Sequence, residues 1–176
     1  MTKDVIDCIR ERRSVRRWQP AEVPDATLGR LLECAVLAPS AGNTQAWHFY
    51  VVKERTRRQA LAAAANHQLF IAEAPVIIGV CADLPRIANR YGQRGVTLYV
   101  LQDTAAAIQN LMLAANAFGL ATCWIGSMDE RAVAQALEIA DPGERRPVAL
   151  IPVGYPAEEP AQRPRRPIDE VVTVFA

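Results

Sequence analysis

The sequence predicts one domain in which several helices and a few strands surround a single long helix. Its 176 residues are enough for one domain with a sizeable core. Apolar residues make up 51% of the chain, although alanine accounts for part of that share. The long helix is predicted from Tyr99 to Phe118, where apolar side chains recur at three- and four-residue steps: Leu101, Ala105, Ile108, Met112, Ala115 and Phe118. Because this helix is apolar on most sides, we expect it to be buried, in part against a second copy of the chain.

The distribution of polar and charged residues limits the possible partners. The long helix is not a membrane span, because five polar residues interrupt its apolar run: Gln102, Asp103, Gln109, Asn110 and Asn116. The net charge of +1 gives no overall field that would attract nucleic acid or an anionic membrane. The arginines are nevertheless grouped, with five among the eight residues from Arg10 to Arg17 and three more at Arg163, Arg165 and Arg166. Two arginine groups in a near-neutral chain indicate a small anion such as a phosphate.

The four cysteines are far apart, and no two of them form a C-x-x-C pair. Each lies among apolar residues: Cys8, Cys34, Cys81 and Cys123. We interpret them as small buried side chains in a reducing compartment, in preference to a metal or redox role. Charged residues between Asp4 and Arg13 interrupt any apolar start, so no signal peptide is predicted and we expect a cytoplasmic protein.

The first helix is predicted from Asp4 to Glu11, with Val5, Ile6 and Ile9 directed inward. It leads into the basic stretch RRSVRRW at 12–18. Guanidinium groups and a hydroxyl are suitable donors for a phosphate, so this stretch is a candidate anion site. The alternative is a solvated basic helix end, where cations also suit the helix dipole.

The second helix opens at Pro24-Asp25 and ends before Pro39, since a residue that precedes proline is disfavoured in the α region. Its apolar stripe consists of Leu28, Leu31, Leu32 and Ala35. A loop of small and amide residues follows and leads into a strand from Trp47 to Lys53. The amides of Asn43 and Gln45 in this loop offer donors and acceptors together, which suits a flat heterocycle. The alternative is an ordinary polar turn.

The middle of the chain supplies the centre of the sheet. His48 has no Cys, Asp or Glu close by in sequence, so we expect it to be structural. After a surface helix from Arg55 to Ala65, the stretch Pro75 to Ala82 is apolar on both faces and is predicted to be a central strand. Asp83 to Gly95 is polar and contains glycine, and it is predicted to be the most mobile segment. Tyr91 within it is interpreted as a surface aromatic residue, with a lid residue as the alternative.

Two further strands and one helix are predicted after the long helix. Leu120 to Ile125 is expected to be a short buried strand. Asp129 is expected to cap an amphipathic helix that ends at Ile139. The next strand, Pro147 to Tyr155, contains Pro152, which favours an edge position or a bulge.

The C-terminal segment is predicted to be an extended arm that ends in a strand. Glu158 to Pro167 is rich in proline and arginine and is too polar for a core element. Val171 to Phe175 reads as a terminal strand. A strand on so long an arm can dock on the sheet of another subunit as easily as on its own.

Familiar catalytic motifs do not occur in the sequence. It contains no P-loop, no G-x-G-x-x-G and no zinc pattern, and it has no Ser/His/Asp or Cys/His set at a recognisable spacing. The carboxylates are dispersed, without a pair suited to acid–base catalysis. We therefore predict no catalytic side chain and no metal site.

Four weak signals nevertheless follow one another in a characteristic order. They are RRSVRRW at 12–18, APSAGNTQAWHF at 38–49, DTAAAIQNLMLAANAFGLATCWIG at 103–126 and RPRRPIDEVV at 163–172. With this order and spacing, the chain resembles the flavin-dependent nitroreductase family in its short, compact form, over nearly its whole length.

The resemblance implies an α+β fold in which helices flank a mainly antiparallel sheet, in a single domain of residues 1–176. It also implies an intertwined homodimer with long helices at the interface. The arm of residues 158–176 would reach the partner and add its terminal strand to the partner's sheet. Two FMN molecules would lie at the interface, each in contact with both chains.

The resemblance also assigns residues to the FMN site. The phosphate and ribityl end would be bound by Arg12, Arg13, Ser14, Arg163 and Arg165. The polar pyrimidine edge would meet Arg16, together with Asn66 or Gln68. The ring would be backed by Ile125, Gly126 and Ser127. From the other subunit, the isoalloxazine would be lined by Pro39, Ser40, Ala41, Asn43 and Gln45.

The implied activity is transfer of a hydride from NADH or NADPH through FMN to a nitroaromatic, a quinone or a similar acceptor, by a ping-pong scheme. Such chemistry needs no side-chain nucleophile or base. Two alternatives stay open: another flavin reaction, such as dehalogenation, flavin destruction or enone or peptide dehydrogenation, and an FMN-binding protein for storage or sensing. Two departures leave the acceptor undefined, because Ala46 stands where many relatives have proline and the segment Asp83 to Gly95 is short.

Overall fold

A computed structural model of the chain describes residues 3–175. Met1, Thr2 and Ala176, which the predicted domain and arm include, lie outside the described residues. The helices are α1 Val5–Glu11, α2 Asp25–Val36, α3 Arg55–Ala64, α4 Phe70–Glu73, α5 Leu84–Arg94, α6 Val100–Ala117 and α7 Glu130–Ala136. The strands are β1 Trp47–Val52, β2 Val76–Asp83, β3 Ala121–Thr122 and β4 Arg145–Gly154. Short irregular turns of helix occur at Ala41–Asn43, Gly95–Tyr99 and Ile168–Glu170.

The four strands form one sheet in the order β1-β2-β4-β3, and all neighbouring strands are antiparallel. From Val76 to Ala82, β2 is buried throughout, which confirms its predicted central position. The prediction for β4 was wrong, because this strand lies inside the sheet, and Pro152 is paired with Ile77 of β2. The irregularity falls earlier in β4, where Cys81 of β2 pairs with Pro147 and the register shifts.

Helices cover both faces of the sheet, and successive residues of β2 belong alternately to the two layers. On one face, α2 and α6 pack against Ile78 and Val80. On the other face, α3 and α7 pack against Ile77 and Cys81. The predicted stripe of α2 is confirmed, with Leu28, Leu31 and Ala35 buried and Leu32 packed against the same core.

The long helix α6 is central to one layer, as predicted. Its buried apolar residues include Ala107, Ile108, Leu111, Met112 and Ala115. It ends where Gly119 adopts a φ of +74°, a left-handed conformation suited to the end of a helix. Leu101, in contrast, is 38% exposed, so the start of the predicted stripe is not covered by this chain.

The prediction that the apolar face of α1 is buried is wrong for a single chain. Val5, Ile6 and Ile9 are 58%, 49% and 54% exposed, and Cys8 is the buried residue of this helix. Asp4 caps α1 by accepting a hydrogen bond from the backbone N–H of Ile6 at 2.8 Å. The apolar side chains of α1 therefore form a surface that its own chain does not cover.

The segment from Asp83 to Gly95, predicted to be a mobile loop, is mostly the helix α5. The Asp83 carboxylate caps it by accepting from the backbone N–H of Arg86 at 3.1 Å, and Pro85 lies in its first turn. Ile87 is fully buried beneath it. The helix is interrupted at Gly92, because its φ of +52° is not a right-handed helical conformation.

Two predicted strands are short or missing in the single chain. The stretch from Leu120 to Ile125 is paired only at Ala121–Thr122 and again where Ile125 bridges Leu150. Val171 to Phe175 is not a strand within the described residues, and every residue from 161 to 175 is exposed. A strand needs a partner edge for its hydrogen bonds, and within the described residues the arm is paired with none of the four strands.

Within residues 3–175, no helix has both the length and the apolar character needed to cross a lipid bilayer.

Candidate functional site

The basic stretch after α1 runs along the short strand β3. The backbone N–H of Val15 donates to the carbonyl of Thr122 at 3.1 Å, and Ser14 forms a parallel bridge with the same residue. Further along, Trp18 bridges Pro156, and its indole Nε1 donates to the carbonyl of Phe70 at 2.9 Å. This pairing gives the arginines of the stretch a fixed position at one edge of the sheet.

The charges of three guanidinium groups, those of Arg12, Arg13 and Arg165, act on one another at this edge, beside a cavity that Glu11, Glu158 and Glu159 also line. Burial lowers the pKa of the half-buried Arg12 from its ordinary value, and the charges of Arg165 and Arg13 lower it further. Within the described residues, none of these three arginines forms an ion pair. Positive charges that repel one another in this way favour binding of an anion.

The guanidinium of Arg165 comes from the C-terminal arm, so both ends of the chain contribute to the cluster. The carbonyl of Arg163 accepts from Arg165 Nη1 at 3.3 Å, which places the predicted Arg163 beside Arg165 on the arm. Arg13 Nη1 donates to the carbonyl oxygens of Arg10 and Arg12, at 2.5 and 3.0 Å. This bond holds the Arg13 side chain over the end of α1.

The predicted edge residue Arg16 lies next to this cluster. Its backbone N–H donates to Glu158 Oε1 at 2.7 Å, and its guanidinium lies 5.8 Å from the ring centre of Phe70. Beneath it, burial raises the pKa of the Cys123 thiol, and the charge of Arg16 and the hydroxyl of Ser14 only partly oppose that effect. Cys123 is therefore a neutral packing residue, as the sequence predicts, and not an activated nucleophile.

A hydrogen bond joins two of the other predicted groups. Asn66 Nδ2 donates to Ser127 Oγ at 2.9 Å and to the Ser127 carbonyl at 3.2 Å. Gln68 Nε2 donates to the carbonyl of Ala65 at 2.9 Å, so its side chain is turned back on its own loop. Ile125 is buried, but Gly126 and Ser127 are exposed and leave backbone groups accessible. The Asn66 amide thus lies beside the end of this strand segment, and the loop that carries both amides is joined to the basic stretch by the bond from Trp18 to Phe70.

The predicted loop from Pro39 to Gln45 is held by a different set of contacts. Asp103 Oδ1 of α6 accepts from the backbone N–H of Ala41 at 2.9 Å. Ser40 Oγ accepts from the backbone N–H of Gln45 at 2.9 Å, and Gln45 Nε2 donates to Asn43 Oδ1 at 3.2 Å. Gly42, Asn43 and Gln45 all have positive φ, at 53°, 56° and 50°, which shows a tightly wound loop.

The helix α5 fixes this loop from outside. Arg90 Nη1 donates to the carbonyl of Gly42 at 2.8 Å, and Arg86 Nε donates to the carbonyl of Thr44. Sequence reasoning missed Asp103, Arg86 and Arg90 as residues that hold the loop. Asp103 did give a signal, because a carboxylate inside an apolar helix needs a buried partner.

The predicted site residues therefore form two groups on one chain. The first surrounds the basic stretch and contains Arg12, Arg13, Ser14, Arg16, Asn66, Gln68, Ile125, Gly126, Ser127 and Arg165, with Arg163 next to Arg165 on the arm. The second is the loop with Pro39, Ser40, Ala41, Asn43 and Gln45, whose hydrogen bonds go to α5, α6 and itself.

Comparisons with known proteins identify the class. The model of the nitroreductase family matches residues 9–71 and 60–155. The chain is 34% identical over 164 residues to a provisionally named NADH dehydrogenase/NAD(P)H nitroreductase of Methanothermobacter thermautotrophicus, covering 91% of this chain and 81% of that protein. It is 27% identical over 184 residues to the FMN reductase [NAD(P)H] of Bacillus subtilis, covering 96% of this chain and 72% of the relative.

The fold agrees with a solved structure. The crystal structure of a nitroreductase family protein from Streptococcus pneumoniae superposes with a TM-score of 0.88 and 27% identity, covering 98% of this chain and 100% of that one. The chain belongs to the nitroreductase family and is an oxidoreductase. This confirms the predicted family and the α+β fold with an antiparallel sheet flanked by helices.

Proposed function

We propose that the protein is an FMN-dependent oxidoreductase that transfers a hydride from NADH or NADPH to a nitroaromatic, a quinone or a similar acceptor by a ping-pong scheme. The observation that carries the proposal is the unneutralised cluster of Arg12, Arg13 and Arg165 at the edge of the sheet. FMN carries a phosphate group, and the guanidinium groups of this cluster can bind a phosphate through charge-assisted hydrogen bonds. The names of the relatives, which include an FMN reductase, point to the same cofactor.

The residues around the cluster fit the rest of the cofactor. The hydroxyl of Ser14 and the guanidinium of Arg16 follow the phosphate site along the chain and supply donors toward the ribityl chain and the pyrimidine edge. A cation at that edge stabilises negative charge on a reduced flavin. Asn66 and Gln68 have amide oxygens to offer there, because their Nδ2 and Nε2 groups already donate to the protein.

The exposed backbone of Gly126 and Ser127 suits the side of the ring system that faces the protein. A flat ring needs close backbone approach, and a Cβ placed at Gly126 would meet, among the described residues other than its chain neighbours, only Trp124 Nε1 within 4 Å, at 3.9 Å. When bound, FMN supplies the hydride chemistry, and the side chains of this chain bind and orient it. NAD(P)H and the acceptor would occupy the same face in turn.

The proposal includes a homodimer in which each site uses both chains. Two features support it: the uncovered apolar surface of α1, and the exposed arm with Val171, Val172, Val174 and Phe175. The arm would then form its terminal strand on the partner. The loop from Pro39 to Gln45 would line the isoalloxazine in the partner's site, which accounts for its separation from the arginine cluster within one chain.

The first experiment is an absorbance spectrum of the purified protein, recorded before and after anaerobic addition of NADH or NADPH. We expect the visible bands of an oxidised flavin, and we expect the nucleotide to bleach them. An acceptor such as a nitroaromatic or a quinone should then restore the bands, and turnover should show parallel lines in double-reciprocal plots.

Other results would point elsewhere. Flavin bands that neither nucleotide bleaches would favour storage, sensing or a different reductant. Bleaching without reoxidation by any nitroaromatic or quinone would favour one of the other flavin reactions. A colourless protein that takes up no added FMN would overturn the proposal.

A further inference from the structure

The outer helix α5 carries arginines toward the loop that the proposed function places over the flavin. Arg86 and Arg90 are one helical turn apart and donate to the carbonyl oxygens of Thr44 and Gly42. Beyond the irregular Gly92, Arg94 Nε donates to Tyr99 Oη at 2.8 Å. Arg86 and Arg90 thus contact the loop directly, and Arg94 lies further along the same segment.

Two tyrosines lie between these arginines. The rings of Tyr91 and Tyr99 meet edge to face, with centres 5.2 Å apart. The guanidinium of Arg90 lies 5.6 Å from the ring centre of Tyr91, and that of Arg94 lies 5.3 Å from the ring centre of Tyr99. We call Arg90, Tyr91, Arg94 and Tyr99 the α5 cluster.

The cluster touches the predicted flavin loop directly. A Cβ at Gly42 would collide with the hydroxyl of Tyr91 and the guanidinium of Arg90. Any molecule that lies on the outer side of this loop therefore meets the cluster. A guanidinium group that lies over one tyrosine ring, next to a second ring, is suited to bind a flat ligand with a negatively charged group.

The charge of the cluster is not neutralised within residues 3–175. Arg90 and Arg94 each have one hydrogen bond, to a carbonyl and to a hydroxyl, and neither forms an ion pair. By contrast, Arg57, Arg146 and Arg166 elsewhere on the surface are paired with glutamates. Both arginines of the cluster keep N–H donors for an anion.

We propose that the α5 cluster binds the anionic group of a substrate, so that the enzyme prefers acceptors or nucleotides that carry a carboxylate or phosphate at this position. The inference rests on the proposed function, because it takes the loop from Pro39 to Gln45 as part of the active site. It goes further by assigning charge selectivity to Arg90 and Arg94. The segment from Asp83 to Gly95, which the sequence predicts to be the most mobile, would then contain residues that determine substrate specificity.

The test compares paired substrates in the holoenzyme and in two variants, Arg94→Gln and Arg90→Gln. The first pair is 4-nitrobenzoate and 4-nitrobenzamide with saturating NADH, and the second is NADPH and NADH with the neutral acceptor. For one pair, we expect the preference for the anionic member, as a ratio of kcat/KM values, to fall about tenfold in Arg94→Gln. The pair that responds identifies the source of the anion.

Arg55→Gln is the matched control, because it removes an exposed arginine at the start of α3, far from the loop in the fold. Its substrate preference should equal that of the unchanged protein. Turnover of the neutral acceptor and FMN content report on the proposed function separately. If they persist in Arg94→Gln and Arg90→Gln while both preference ratios stay unchanged, the α5 cluster has no such role.

A binding measurement covers the case in which the protein does not turn over. Calorimetric titrations of the purified protein with 4-nitrobenzoate and with NADPH should show, for one of the two ligands, binding that weakens about tenfold in Arg94→Gln and with rising salt. Binding of both ligands with equal strength in the unchanged protein and both variants would overturn the inference, whatever the outcome for the proposed function.

Discussion

Asp103 lies inside an apolar helix and holds the backbone of the predicted flavin loop through Ala41. Its second oxygen, Oδ2, is buried without a hydrogen-bond partner, and so is the hydroxyl oxygen of Thr44. Burial raises the pKa of this carboxyl, and the hydrogen bond from Ala41 and the nearby Thr44 hydroxyl only partly oppose that effect. The ionised carboxylate is thus less stable in the folded chain than in the unfolded chain.

The raised pKa of Asp103 sets the sign of a pH effect. The folded state binds more protons than the unfolded state between the ordinary pKa of the carboxyl and its raised value, so this group makes stability fall as the pH rises through that interval. Asp103→Asn keeps an acceptor for Ala41 and gains a donor for Thr44. We expect the variant to be more stable at neutral pH by about 1 kcal/mol and to lose that part of the pH dependence.

Chemical denaturation of both proteins across acidic and neutral pH measures this difference. Asp7→Asn on the exposed side of α1 is a suitable control for the loss of a carboxylate. A wild-type protein that gains stability relative to Asp103→Asn as the pH rises would show that the assigned sign is wrong.

The arginine cluster makes a second prediction at the scale of single residues. Arg12→Gln and Arg13→Ala should each weaken FMN binding about tenfold or more, because each removes a charged donor for the phosphate. Neither should unfold the protein, since the core lies elsewhere. Fluorescence titration of the apoprotein with FMN, beside Arg55→Gln, gives the measurement. Unchanged flavin affinity in both variants would remove these residues from the site.

At the scale of the elements, the sequence predicts best where one pattern controls the outcome. The central position of β2 follows from its apolar residues on both faces, and the helix α6 follows from an uninterrupted apolar repeat at helical spacing. The helix α5 was missed because its polar composition and Gly92 resemble a loop, while the structure depends on the cap at Asp83 and the buried Ile87. The inner position of β4 in the sheet was missed because Pro152 suggested an edge strand. The strand beyond β4, which is β3, is only two residues long, so β4 is covered there over a short stretch.

The cap of α5 gives a prediction for this element. Asp83→Ala removes the acceptor for the backbone N–H of Arg86 and should destabilise the protein by about 1 kcal/mol. The loss should be concentrated in α5, so hydrogen exchange of its amides should speed up more than exchange in α6. Glu33→Ala, which replaces an exposed carboxylate on α2, serves as the control. Equal exchange in α5 of the two variants would contradict the capping role.

At the scale of the whole molecule, the resemblance assigned the loop to the partner's site, whereas composition and spacing gave no such division between chains. The basic stretch and the end of β3 come together because they pair along one sheet edge. The loop from Pro39 to Gln45 is anchored to α5 and α6 instead. Neither spacing nor composition reports such a division, because it depends on how two copies of the chain pack.

The apolar surface of α1 carries the prediction for the assembly. Ile9 is 54% exposed in the single chain, and in the proposed homodimer it is covered by the partner. Ile9→Glu places a charge in that interface, so we expect it to shift the protein from dimer to monomer in analytical ultracentrifugation. FMN should be lost in parallel, because each site would lose the loop that the partner supplies.

Ala60→Glu separates this effect from the addition of a charge to the surface. Ala60 is exposed on α3, away from α1 and from the edges of the sheet, and its replacement should leave the dimer and its flavin intact. A chain shortened after Pro160 tests the arm in the same way, since it loses Arg165 together with the terminal strand and should bind FMN weakly. An unchanged protein that is monomeric and still holds a full complement of FMN would show that one chain completes the site alone.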